Sequence, residues 1–172
     1  MIATETRQQI ATKQWTLDPS RSSVDFAVGT FWGLGTVRGH FNRFDGFYEA
    51  DPADAKMELT VDADTIDTGN DTRDEHLRSW DFFDVVSHRY VRFTSTEVVD
   101  TGEGMLRISG SLEAAGKALP VEVEATVRQL GEELEIEAST TVDQRGFDMS
   151  NGPFKMIRTP ATVHVKARLV SK

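Results

Sequence analysis

The side chains best suited to chemistry are few and scattered. Four histidines, His40, His76, His88 and His164, show none of the short HxxH, HxxxH or HExxH spacings that gather metal ligands on one element. Cysteine is absent, which removes thiolate zinc sites, disulfides and cysteine nucleophiles together. Asp64, Gly69 and Glu75 stand at positions 1, 6 and 12 of a calcium-type loop. Ile66 and Thr68 occupy its positions 3 and 5, where stronger oxygen ligands are usual, so these acids read instead as a solvated turn. Gly33-Leu34-Gly35 followed by Gly39 lacks the third glycine of a dinucleotide loop, and no Gly-x-Ser-x-Gly elbow occurs. The residues therefore predict no enzyme, no metal and no cofactor.

What must position these residues is a set of strands. From Leu119 the odd positions run Leu, Val, Val, Ala, Val to Val127, and the even ones run Pro, Glu, Glu, Thr, Arg to Arg128. A period of two puts one row on each face of a half-buried strand. The same alternation recurs at Met57 to Ala63, at Leu134 to Ala138 and at Ala161 to Leu169. Shorter runs lie at Val24 to Val28, Val37 to Phe44, Val91 to Thr96 and Leu106 to Leu112. Breaker clusters at Asp51-Pro52, Gly102-Glu103-Gly104, Gly116-Lys117, Gly131-Glu132 and Asn151-Gly152-Pro153 separate them. Eight or nine short-linked strands, each apolar on one side, bury that side by closing into a barrel or stacking as a sandwich; the barrel is the expected solution.

One segment departs from the alternation. Thr72 and Glu75 have the spacing of a capping box, and Leu77 and Trp80 follow at helical spacing, which predicts a short helix over about Arg73 to Trp80. Phe82 and Phe83 come directly after it.

Composition limits the partners. The 172 residues carry 19 basic and 28 acidic side chains, a formal charge of −9, the wrong sign for a phosphate-backbone binder, so no nucleic acid is expected. No run approaches the roughly 20 apolar residues of a membrane helix, and no integral membrane segment is expected. Met1 to Thr12 hold no apolar run; they predict a mobile polar tail ahead of one domain over residues 13–172, and a chain that stays in the cytoplasm.

Several ordered segments resemble the YceI-like family: Trp15-Thr16-Leu17-Asp18-Pro19, Val37-Arg38-Gly39-His40-Phe41, Ile66-Asp67-Thr68-Gly69-Asn70, Arg73 to Ser79, and Asp81-Phe82-Phe83-Asp84-Val85. The resemblance implies an all-β fold, an antiparallel eight-stranded lipocalin-like barrel with one short helix. It further implies non-catalytic binding, storage or transport of a long-chain isoprenoid or other amphiphilic lipid-like ligand in the lumen. The wall would be Val24, Phe26, Val28, Phe41, Leu59, Val61, Phe93, Leu106, Ile108, Val121, Val123, Ile136 and Val163. Phe31, Trp32, Leu77, Trp80, Phe82 and Phe83 would join it, with Arg43 and His76 meeting a polar head. Small residues on the inward rows, Gly39, Ala63, Gly110, Ala125, Ala138 and Ala167, would leave the space. A filled core serving a stress-related interaction protein is the alternative, followed by an enzyme acting on a lipid-like substrate. Self-association into a homodimer stays open.

Overall fold

The computed structural model describes residues 13–29, 35–51, 53–149 and 160–172. The tail at Met1 to Thr12, the aromatic pair Phe31 and Trp32, and the Asn151-Gly152-Pro153 breaker lie outside the described residues.

Eleven strand segments follow the alternation: β1 (Lys13–Leu17), β2 (Ser23–Gly29), β3 (Thr36–Phe41), β4 (Phe44–Ala50), β5 (Lys56–Asp62), β6 (Ile66–Asp67), β7 (Tyr90–Gly102), β8 (Met105–Ala114), β9 (Lys117–Leu130), β10 (Glu133–Val142) and β11 (Ala161–Ser171). All pair antiparallel. Eight of them, in the order β1-β4-β5-β7-β8-β9-β10-β11, return to β1 and close a barrel. The closing contact is short, Trp15 to Leu17 against Ser171 to Leu169. Further along β11, Thr162 to Lys166 pair instead with β2, which carries β3 and β6 beyond it. β1 and β2 thus share one edge of β11, separated by a 3-10 turn at Pro19–Arg21 that the Asp18 carboxylate caps by accepting from Ser20 N–H.

Two hairpins show why their turn residues are needed. Glu103-Gly104 joins β7 to β8 and Ala115-Gly116 joins β8 to β9, and each pair has positive φ at both positions (57° and 74°; 51° and 79°). That is the two-residue turn whose twist matches antiparallel strands.

The single described α-helix, α1, spans Asp71–Arg78, two residues earlier than the spacing predicts. Its cap is Asn70, whose side-chain oxygen accepts from Arg73 N–H at 3.0 Å. Thr72 is therefore already inside the helix and no Thr72–Glu75 box forms. Asp74, in the first turn and almost fully buried, points away from the helix end and accepts from the Thr68 amide and hydroxyl.

Two buried clusters organise the interior. The larger, with Trp15, Phe44, Leu106, Ala125 and Leu134, fills one part of the barrel. The smaller, with Phe82, Phe147 and Met149, joins the turn after α1 to the 3-10 segment Gln144–Phe147 that follows β10.

Candidate functional site

Between the clusters lies a cavity of about 300 Å³. All eight strands of the barrel contribute lining residues, β1 through Leu17, and most are at the parity the alternation indicates, Phe47 and Glu58 being of the opposite one. On β10 these are Ile136, Ala138, Thr140 and Val142; on β11, Ala161, Val163, Val165, Ala167 and Leu169; on β9, Val121 and Val123. On β1 it is Leu17, the residue that pairs with Leu169. Of the wall expected from sequence, Val24, Phe26, Val28, Phe41, Leu59, Val61, Leu77, Phe82, Phe83, Phe93, Ile108, Val121, Val123, Ile136 and Val163 border the cavity.

The other expected residues go elsewhere. Leu106 is buried at the level of Trp15 and Leu134, in the filled part, so it shares the parity of Ile108 without reaching the void. Trp80 is 79% exposed because the turn aims it outward. Arg43 does not line the cavity: its side chain is 74% exposed and lies 4.0 Å from the Asp62 carboxylate. His76 sits behind the wall, its ring centroid 5.3 Å from that of Phe82 and Nε2 4.0 Å from Asp81. Phe31 and Trp32 lie outside the described residues.

The small residues do not act alike. A Cβ on Gly39 would stand 2.5 Å from Phe26 Cζ, and one on Gly110 2.6 Å from Phe93 Cζ, so aromatic rings already use both gaps. Ala63 and Ala125 are wholly buried and do not border the cavity. Ala138 and Ala167 do, and with Ala114 and Ala161 they supply the open room.

Sequence reasoning left Val165 and Leu169 out of the wall, although they continue the row of Val163. It also missed Phe147 and Met149. Phe147 ends the 3-10 turn and Met149 lies two residues beyond it; neither has a strand period, and nothing local marks them as inward.

Polar atoms at the wall are sparse: Thr140, Gln144, Tyr48 and Glu58 among the described lining residues. Tyr48 stacks on Trp15 with centroids 5.6 Å apart, and burial, followed by the nearby Asp100 charge, pushes its phenol above its ordinary value. Glu58 faces Arg92 at 3.6 Å. Charged pairs otherwise lie on the outside. Asp62 receives Arg89 at 2.9 Å; that hydrogen bond, the Asp64 amide and the two guanidinium charges hold its carboxyl below the ordinary carboxylate range against the opposing effect of burial. His164 is outside as well, between Ser139 (2.7 Å) and Glu137 (3.1 Å) on β10. Among the described residues no group of three or more His, Asp or Glu side chains is gathered so as to hold a metal ion. No helix of the described residues is long and apolar enough to cross a membrane. The wall offers methyl, methylene and phenyl surface, which suits a hydrocarbon guest and gives it little directional contact.

Comparison with known proteins agrees with this architecture. The family model described as YceI-like domain matches residues 15–170. A UPF0312 protein of Shewanella denitrificans is 34% identical over 155 residues, covering 88% of this chain and 81% of that one. A UPF0312 protein of Vibrio cholerae is 34% identical over 117 residues, 66% of this chain, and the match spans only 61% of that relative's length. Among solved structures, BcnA of Burkholderia cenocepacia superposes with a TM-score of 0.78 at 23% identity, covering 89% of this chain and 98% of that one. A polyisoprenoid binding domain from Saccharophagus degradans, implicated in plant cell wall breakdown, gives 0.76 at 16% identity, covering 92% and 98%. At these identities the structural likeness concerns the fold.

Proposed function

Because the chain belongs to the YceI-like family, we propose that it is a non-catalytic binder that holds a long apolar molecule of the isoprenoid or lipid-like class in its barrel, for storage or transport. The observation that carries this reading is the cavity of about 300 Å³ with a wall almost entirely of carbon. The polyisoprenoid binding domain among its structural neighbours supports the ligand class.

The driving force follows from the wall. Removing hydrocarbon from water is worth about 0.8 kcal/mol per methylene, so one five-carbon isoprene unit offers on the order of 4 kcal/mol before ordering costs. The cavity is at the small end of the roughly 300–1,000 Å³ range of ligand sites, which favours a slender guest over a bulky one. Such a force selects girth and length more than chemical identity.

The test is to extract the purified protein with organic solvent, identify what is released, and titrate the stripped protein with farnesol under native mass spectrometry. An apolar guest in the extract, or saturable one-to-one uptake of farnesol, is expected. If no apolar guest is released and no saturable uptake of farnesol occurs, the reading is overturned.

A further inference from the structure

The wall of the cavity is not a continuous ladder at every level. Among the described residues the sheet ends at β6, where Ile66 and Asp67 pair with Phe41 and His40 of β3 and with no further strand. The next strand in the chain, β7, begins only at Tyr90, opposite Asp62, which lies on β5 below β6. Between β6 and the β8–β9 hairpin the wall is therefore made by α1 and by residues 79–89, which lead from it to β7. Leu77, Phe82 and Phe83 are its inner surface and border the cavity.

This part of the wall is attached differently from the strands. Its backbone hydrogen bonds close within it: Phe82 N–H donates to Ser79 C=O, Phe83 to Leu77, Asp84 to Ser79, Val85 to Arg78 and His88 to Asp84, at 2.7–3.1 Å. The segment is tied at its two ends. At one, Asp74 accepts from the Thr68 amide at 2.9 Å and Arg73 Nε donates to Thr68 Oγ1 at 2.8 Å. At the other, Arg89 C=O accepts from Ala63 N–H at 2.9 Å. Between these ends it meets the barrel through side chains. Phe83 stands edge-on to Phe41 of β3 with centroids 5.9 Å apart, and Phe82 packs with Ala114, Phe147 and Met149. His88 lies over Gly116 in the β8–β9 turn, where a Cβ would stand 2.7 Å from its ring.

Parting two strands of a ladder leaves a row of N–H and C=O groups without partners, each a substantial cost beside a dry interior. Parting this segment from the barrel breaks no ladder and exposes apolar surface, which a hydrocarbon passing through would cover. Local opening takes the route with the fewest such bonds to break. We infer that residues 70–88 are the gate of the cavity, swinging on the ties at Thr68 and Arg89 to admit the guest between β6 and the β8–β9 hairpin. The inference rests on the reading of the cavity as a binding site and adds to it the way in.

Because the chain has no cysteine, a single disulfide can pin the gate to the hairpin, through His88→Cys with Gly116→Cys. Neither residue borders the cavity. Once intact mass shows the disulfide, uptake of farnesol is followed in time by native mass spectrometry. The oxidised double variant is expected to load on the order of 100-fold more slowly than the same protein after reduction, with the equilibrium affinity unchanged. Phe83→Ala, which removes the contact with Phe41, is a second test that needs no disulfide. It is expected to speed both uptake and release, about tenfold, whereas loss of contact with the guest alone would speed release only. Equal loading rates in the oxidised and reduced forms, or Phe83→Ala uptake no faster than that of the parent, overturns the proposal. Failure of the cavity reading shows separately, as absence of farnesol uptake by the unaltered protein.

Discussion

Phe26 lies across the Cα of Gly39, its partner in the β2–β3 ladder, so closely that a methyl group there would stand 2.5 Å from the ring and 2.9 Å from the Asp67 carbonyl. Phe93, whose own ladder partner is Leu112, leans over Gly110 as closely, with the Thr94 carbonyl 2.5 Å from the added carbon. Neither glycine can gain a side chain unless a ring and a strand backbone both move. Gly39→Ala and Gly110→Ala are each expected to cost about 1–3 kcal/mol by overpacking. Urea denaturation measures this; midpoints equal to that of the parent would show that the rings yield freely.

Ala138 gives the opposite expectation. It borders the void, between Ala125 and Val165 in the sheet. Ala138→Phe puts its ring into open space, so the fold is retained while the room for a guest shrinks. Farnesol affinity is expected to fall at least tenfold, with the melting temperature within a few degrees of the parent. Unchanged affinity would place the guest elsewhere.

The helix cap separates two substitutions that sequence spacing alone would rank the other way. Asn70→Ala removes the acceptor for Arg73 N–H and is expected to cost about 1 kcal/mol. Thr72→Ala, inside the first turn, is expected to be close to neutral. Denaturation of the two side by side decides it, and a larger loss at Thr72 would restore the capping box.

Asp62 makes stability depend on pH in a defined direction. Its carboxyl is held below its ordinary value of 3.8, chiefly by the hydrogen bond from Arg89. A depressed folded value means that the stabilisation is fully present above the ordinary value and is lost as pH falls through the folded one. Thermal melts from pH 6 down to pH 2 are expected to show the loss beginning near pH 4. Asp62→Asn is expected to be less stable at pH 6 and to have a shallower decline below pH 4; parallel curves would assign the acid sensitivity to other carboxylates.

Much of the barrel was legible in the chain because the side-chain period of a strand is a local property. The rows at Leu119 to Val127 and Ala161 to Leu169 place the same residues inward that the structure does. The turns at Gly102 to Gly104 and Gly116 were legible for a similar reason, since positive φ is a demand on one or two residues. The helix was found but displaced by two residues. Asn70 and Thr72 are both competent caps, and only the bond from Arg73 N–H to the Asn70 side chain shows which one starts the helix.

The sequence by itself determined the class of fold, the parity of each strand and the oily character of the inner face. Tertiary structure decided where that face is filled and where it is empty. Leu106 and Ile108 are equivalent by parity, yet the first packs with Trp15 and Leu134 while the second borders the void. Gly110 and Ala138 look like equal sources of space, yet only Ala138 provides it. The physical reason is that a cavity is a relation among several strands, set by how their ladders are staggered around the barrel and by which ring leans over which neighbour. Those offsets are not encoded in the period of any one strand.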